Sequence, residues 1–255
     1  MVSRLDYDSI AKVYDRRYEQ NEYAGLERAL LEFAADARAL LEVGCGTGHF
    51  IGLVTARGRA AVGLDLSARM LAQARASLPA LPLVRGRAEA LPFSDRRLDR
   101  VFCMNALHHF SDHRAFVAEA RRVLAPGGGL MIAGLDPHTR HDHWWIYDYY
   151  DKALKDDRAR YPSAATIRAL LQARGFRRVE TCEVQRITLR RSASEALAAG
   201  QLDKSTTSQL SILSDAEYQA GIDRVRRDID AAQARGSVLE LAIDLRLYAT
   251  VGWLD

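Results

Sequence analysis

The chain has only three cysteines in 255 residues, Cys45, Cys103 and Cys182. They lie too far apart for a disulfide framework or a cysteine-based metal site, and their scarcity suits a reducing, cytoplasmic setting. No apolar run approaches the ~20 residues of a membrane span. The first six residues, Met1 to Asp6, lack the apolar stretch of a secretory signal, so none is expected. Charge is also nearly balanced. The 36 Lys and Arg against 33 Asp and Glu give a formal +3, spread without basic blocks. That balance gives no reason to expect nucleic acid or a membrane surface as a partner. Internal repeats and low-complexity tracts are missing too. What is present, 48% hydrophobic and 27% charged residues, can bury one large domain, or one domain with a smaller cap.

The chain is organised around Leu40-Leu41-Glu42-Val43-Gly44-Cys45-Gly46-Thr47-Gly48-His49-Phe50. An apolar run from Ala39 to Val43, broken by one acid, meets three glycines at alternate positions. A helical pattern then resumes through Phe50, Ile51, Leu53 and Val54. This reads as a buried strand, a tight turn and a helix start, where backbone can approach a ligand closely.

Upstream, the spacing predicts helices over 7–20 and 24–35. Downstream, strands are expected at 60–65, 81–84, 98–104 and 130–133, with helices between them that open at Ser67 and Asp112. Alternating strands and helices mean a parallel sheet covered on both faces, with ligands at the carboxyl ends of its strands. Glu42–Gly48, Asp65, Arg87–Glu89 and Asn105–His109 all fall at such ends. After residue 136 the pattern changes. Residues 138–150 are rich in His and aromatics and do not read as a strand, and a helix follows Ser163. Residues 177–190 and 238–251 read as strands flanking a helical insertion at 192–236, an antiparallel pair at one sheet edge. Within the insertion, Ser214-Asp215-Ala216-Glu217 has the form of a capping box. Three segments result: 1–136, an aromatic cap or lid at 137–162, and 163–255 with the insertion.

Two details give the glycine turn its chemistry. Its spacing is Gly-x-Gly-x-Gly, tighter than the Gly-x-Gly-x-x-Gly of dinucleotide sites. Glu42, two positions before the first glycine, would repel a pyrophosphate and favour a cationic ligand. Asp65, 17 residues beyond Gly48, can accept hydrogen bonds from both hydroxyls of a ribose.

The segments Leu41–Gly48, Gly63–Leu71, Gly86–Phe93, Asn105–Phe110 and Arg122–Gly128 resemble, in order, the motifs of class I S-adenosylmethionine-dependent methyltransferases. Tyr7–Asp15 is similar to the opening of the ubiquinone/menaquinone-biosynthesis type within that superfamily. The resemblance covers residues 5–135 and implies an α/β, Rossmann-like fold: a seven-stranded, mostly parallel sheet with an antiparallel edge strand and a helical cap. It implies that Gly44, Cys45, Gly46 and Gly48 pass beneath the methionyl part of the cofactor, S-adenosyl-L-methionine, whose product is S-adenosyl-L-homocysteine. Glu42 would place its ammonium group, Asp65 its ribose, and Leu66 or Met70 its adenine. Tyr14, Ala88 and Asn105 complete the implied cofactor set. Arg87 departs from the family, which has an acid there to accept from the adenine amino group. A guanidinium cannot accept. Either Glu89 substitutes, or the adenine contact is through backbone alone.

Methyl transfer from a sulfonium requires the acceptor on the methyl axis and water excluded. A phenol or acidic-carbon acceptor also needs a general base. His108 and His109, at the end of strand four, are the candidates, and the alternative is that one packs and the other only shapes the pocket. His109, His143, Trp144, Trp145 and Tyr147 are candidate acceptor contacts; the aromatic cluster reads equally as a crossover helix packed on the sheet, and the two readings are not exclusive. His138, His141 and His143 have no metal-ligand spacing, and no metal is expected. No Asn-Pro-Pro-Tyr or Pro-Cys sequence follows strand four, which disfavours a nucleobase acceptor. The expected activity is methylation of a small molecule at oxygen or carbon. A catalytically silent S-adenosylmethionine-binding regulator and a nicotinamide-dependent oxidoreductase are the alternatives.

Overall fold

A computed structural model describes residues 23–139 and 141–255. The helix expected over 7–20, and Tyr14 with it, lies outside these residues. Strand β1 (Ala39–Val43) is the centre of the fold. It pairs in parallel with β2 (Ala60–Asp65) on one side and β4 (Leu98–Met104) on the other. Both of its edges are therefore paired, and helices cover both of its faces, which is why Leu40, Leu41, Glu42 and Val43 are all buried. Beyond β2 lies β3 (Leu83–Arg85), and beyond β4 lies β5 (Leu124–Leu135). β5 starts six residues earlier than the apolar pattern indicates. A register shift between Leu98 and Arg100 lets the Pro126–Gly129 stretch bulge while strand pairing continues.

Two sets of helices cover the sheet. On one face α1 (Ala24–Phe33), α2 (His49–Thr55) and α3 (Ala68–Ser77) bring Leu26, Leu30, Phe50, Ile51 and Leu71 onto Leu40 and Phe102. On the other, α4 (His113–Val123) and α7 (Ala164–Ala173) bring Phe116, Val117 and Leu171 onto Leu41, Val101 and Ile132. Local chemistry sets where these helices start. The Ser67 hydroxyl accepts from the Met70 amide, the Asp112 carboxylate from Arg114 and Ala115, and the Ser163 hydroxyl from Thr166.

The far edge is antiparallel. β8 (Glu240–Trp253) pairs with β5 on one side and with β7 (Val179–Ser192) on the other. A two-residue strand, β6 (His143–Trp144), pairs with β8 at Asp244 and Ile243, continuing the edge where β5 ends. Seven strands match the expected count, and the two-residue β6 makes the sheet eight-stranded. The sequence reading leaves 138–150 without a strand because a two-residue strand has no periodicity to detect. β8 runs opposite to β5, and β7 opposite to β8. The outer ends of the β7–β8 ladder thus lie on the same side of the sheet as the carboxyl ends of β1, β4 and β5.

From that outer end springs the insertion, as α8 (Ala193–Ala198), α9 (Ser208–Ser211) and α10 (Asp215–Ala234). It closes on α5 (Trp145–Tyr149) and α6 (Asp151–Arg160) in a third apolar cluster built from Trp144, Trp145, Ile146, Leu210, Ile222 and Val225, with Leu241 and Leu245 of β8. The Ser214–Glu217 capping box is present at the start of α10. Among the described residues no helix is long and apolar enough to cross a membrane.

The third cluster depends on one glycine. A Cβ added at Gly221 would stand 2.0 Å from Cε1 of the Tyr150 ring. Gly221→Ala gains up to ~1 kcal/mol of helix propensity, but overpacking costs about 1–3 kcal/mol. Net destabilisation is expected in urea denaturation; a variant as stable as the parent would mean that Tyr150 can move aside.

Candidate functional site

At the carboxyl end of β1 the chain must turn sharply, and three glycines with positive φ make that turn: Gly44 at 78°, Gly46 at 53° and Gly48 at 91°. The amides of Gly44 and Cys45 both donate to the Leu64 carbonyl, at 2.8 and 3.0 Å, which ties the turn to the end of β2. Gly44 has no room for a side chain, since a Cβ there would lie 2.6 Å from that of Ala106. Asp65 closes the arrangement. Its Oδ2 accepts from the Gly46 amide at 2.9 Å and its Oδ1 from the Ser67 amide at 2.8 Å. Each carboxylate oxygen has two lone-pair sites, so one such group can hold several donors at once.

Glu42 is the unusual group. It is 1% exposed, and its Oε2 has no hydrogen-bond partner among the described residues. Burial pushes its carboxyl well above the usual carboxylate range. The Ile51 backbone amide works against that rise, and the negative charge of Asp65 adds to it. A buried acid with an unmet oxygen, next to a second acid and a backbone-lined turn, is built to receive a donor or a cation. Burial likewise pushes the Cys45 and Cys103 thiols up, with the charge of Glu42 adding to it, so neither is a ready nucleophile.

Of the two residues expected beside adenine, Met70 is sealed in the core while Leu66 is 55% exposed. Leu66 is therefore the side chain offered to a flat apolar ligand. Ala88 is buried. Glu89 is already engaged. Its Oε1 accepts from the Ser111 amide and hydroxyl at 2.7 and 2.5 Å, and its Oε2 stands 3.4 Å from the Arg87 guanidinium. Partial burial pushes the Glu89 carboxyl up, but the Ser111 hydroxyl, backbone amides and Arg87 outweigh that and hold it below its ordinary value. Glu89 is thus committed to Ser111 and Arg87 before any ligand arrives.

Beyond β4, Asn105 takes a left-handed conformation, with φ 51°, and donates its amide to the Ala133 carbonyl at 2.8 Å. A 3₁₀ turn, Leu107–His109, follows it. The His108 and His109 rings touch, with centroids 3.7 Å apart. His108, Asn105, Gly134, Asp136, Tyr161 and Tyr248 line a cavity at the carboxyl ends of β4 and β5. Asp136, Tyr161 and Tyr248 escaped the sequence reading, because they come from three distant segments with no shared pattern.

The aromatic segment differs from its functional expectation. Trp144 and Trp145 are buried in the third apolar cluster, and the Tyr147 hydroxyl donates to the buried Asp157 at 2.7 Å. These three side chains build the cap's own core; none of them lines the cavity. His143 sits exposed at the sheet edge, 3.6 Å from Asp148. The histidines of this stretch also diverge. The His138 ring meets the Tyr161 carbonyl at 2.9 Å, while the His141 carbonyl accepts from Arg246.

Residues 41–132 match the methyltransferase domain family. Over that stretch the chain is similar to a methyltransferase domain. It is 34% identical over 147 residues to phthiotriol/phenolphthiotriol dimycocerosates methyltransferase of Mycobacterium leprae, covering 56% of this chain and 54% of that protein. It is 35% identical over 148 residues to malonyl-[acyl-carrier protein] O-methyltransferase of Erwinia billingiae, covering 55% and 59%. The chain thus spans little more than half the length of these curated relatives. In fold, it resembles the Haemonchus contortus phosphoethanolamine N-methyltransferase 2 solved in complex with S-adenosyl-L-methionine. The TM-score is 0.62 at 17% identity, over 97% of this chain and 57% of that one. The glycine turn, Glu42, Asp65, Glu89 and both histidines fall within the matched methyltransferase domain. Trp144, Trp145, Tyr161 and the insertion lie outside it.

The unmet charge of Glu42 makes a prediction for the unliganded domain. Below its ordinary value of 4.5 the carboxyl is protonated both folded and unfolded, and costs nothing. As pH rises past that value the unfolded chain ionises first, and stability falls until the raised folded value is passed. Glu42→Gln removes that fall. Urea denaturation across the acid-to-neutral range should show a flatter profile for the variant; parallel profiles would mean that Glu42 titrates normally.

Proposed function

We propose that the chain transfers a methyl group from S-adenosylmethionine to a small-molecule acceptor, at oxygen or carbon. The observation that carries this reading is the buried, unpartnered oxygen of Glu42, beside the left-handed glycine turn and next to Asp65. In the proposal Glu42 accepts from the ammonium of the cofactor's amino-acid end. The turn, held against Ala106 by the absence of a Cβ at Gly44, brings its backbone amides to the cofactor. Asp65 accepts from the ribose hydroxyls, and Leu66 and the backbone of 87–89 meet the adenine. When bound, S-adenosylmethionine supplies an electrophilic methyl group on a sulfonium.

The acceptor approaches the carboxyl ends of β4 and β5 beside Asn105, His108 and Tyr248, where the cavity of about 20 Å³ has to widen to admit it. His108 or His109 takes the proton from an acceptor oxygen or carbon at an imidazole nitrogen. The name of the Erwinia billingiae relative, an O-methyltransferase, supports oxygen as the attacking atom. The cap formed by α5, α6 and the insertion rises on the side of the sheet where the acceptor would sit. It shields the acceptor from water.

Isothermal titration with S-adenosylmethionine, S-adenosylhomocysteine and NAD tests the reading. Binding of the first two without the third is expected. Asp65→Ala should weaken that binding about ten- to a hundredfold, the value of hydrogen bonds to a charged acceptor. Binding of NAD alone, or affinity untouched by Asp65→Ala, would overturn it.

A further inference from the structure

His108 does not stand alone. The Tyr161 ring stacks on its imidazole, with centroids 3.8 Å apart and planes inclined by 13°. Tyr161 is itself held at two further points. Its carbonyl meets His138 Nε2 at 2.9 Å, and its hydroxyl accepts from Gln209 Nε2 at 3.3 Å. Gln209 belongs to α9, inside the insertion, and is buried. The same amide nitrogen donates to Asp157 Oδ2 at 3.0 Å, where the Tyr147 hydroxyl also donates at 2.7 Å. The other Asp157 oxygen takes two donors from Arg160, at 2.7 and 3.0 Å, and Arg160 in turn reaches the Ser208 hydroxyl. Burial, with the charge of Asp157 beside it, pushes the Tyr161 phenol up, so it stays neutral.

We infer that Tyr161 and Gln209 are positioning residues through which the helical insertion fixes the ring of His108. This rests on the proposed role of His108 in methyl transfer. The physical argument is that an imidazole at the end of a 3₁₀ turn can rotate freely about its side-chain torsions unless something packs on its face. A proton acceptor misplaced by about 1 Å can lose a hundredfold in rate. Here one face of the ring is packed by a tyrosine whose own rotation is stopped by a buried, fully partnered network. That network is completed from α9, which no cofactor contact requires.

The test is NMR of the full chain with labelled histidine, the His108 signals being assigned by their loss in His108→Gln. Ring current from the stacked phenol should hold the His108 ring protons upfield in the parent. Tyr161→Phe, which keeps the ring but loses the bond to Gln209, should move them downfield only slightly, as Gln209→Leu does. Tyr161→Leu should release them downfield, and Gln209→Leu, nearly isosteric and distant in sequence, should shift them the same way by less. S-adenosylhomocysteine affinity should stay unchanged in all three. His108 signals unmoved by Tyr161→Leu, or moved equally by Phe and Leu, would overturn the inference. So would signals unmoved by Gln209→Leu, and this variant decides alone if Tyr161→Leu does not fold. Loss of cofactor binding in the parent would overturn the proposed function and leave the His108 readout standing.

Discussion

A carboxylate held in the core without a full set of partners constrains everything near it. Taking its charged form out of water costs several kcal/mol even after the surroundings relax, which is why burial pushes its carboxyl well above the usual range. Glu42 cannot escape that cost by moving, because β1 is locked between β2 and β4 and its carbonyls and amides are committed to the ladders. The Leu64 carbonyl, accepting from both Gly44 and Cys45, fixes the chain direction immediately after it. Asp65 anchors the turn through the Gly46 amide and brings a second negative charge close. The result is a pre-formed, electrically unsatisfied hollow at the end of the central strand. Its rigidity comes from backbone hydrogen bonds rather than from a flexible loop, so little ordering entropy remains to be lost on binding.

The cap solves a different problem. Aromatic residues after β5 and the helices between β7 and β8 each present an apolar face with no place on the main sheet. Packed together they bury Trp144, Trp145, Ile222 and Val225. Around Asp157 the polar groups drawn into this third core are satisfied by one another, Asp157 accepting from Arg160, Tyr147 and Gln209, while the Tyr150 hydroxyl has no partner among the described residues. A fully partnered buried network favours a single arrangement, because any partial loosening leaves a charge without its donors.

Much of the fold was legible because it is local. β1, β2 and β4 were bounded by runs of apolar residues ending at Gly44, Asp65 and Asn105. The caps at Ser67, Asp112, Ser163 and Ser214 announced themselves by residue type and spacing. The glycine turn and Glu42 were legible for the same reason, lying within one short stretch. What was not legible is what depends on distant pairing. β6 exists only because β8 offers it an edge. Met70 and Leu66 looked interchangeable until helix packing buried one and exposed the other. Trp144 and Trp145 could have faced a ligand or a core, and only the insertion's position decides. His108 and Tyr161 are brought together by the route of the chain through the cap, which no periodicity records.

The insertion leaves and rejoins the sheet at register partners: Ser192 at the end of β7 stands opposite Glu240 at the start of β8. Opposed residues of an antiparallel pair lie only about 5 Å apart. A segment whose two ends nearly touch behaves as a removable module. It can be lengthened, shortened or exchanged without altering the course of either strand. One scaffold can in this way present different roofs over an unchanged floor.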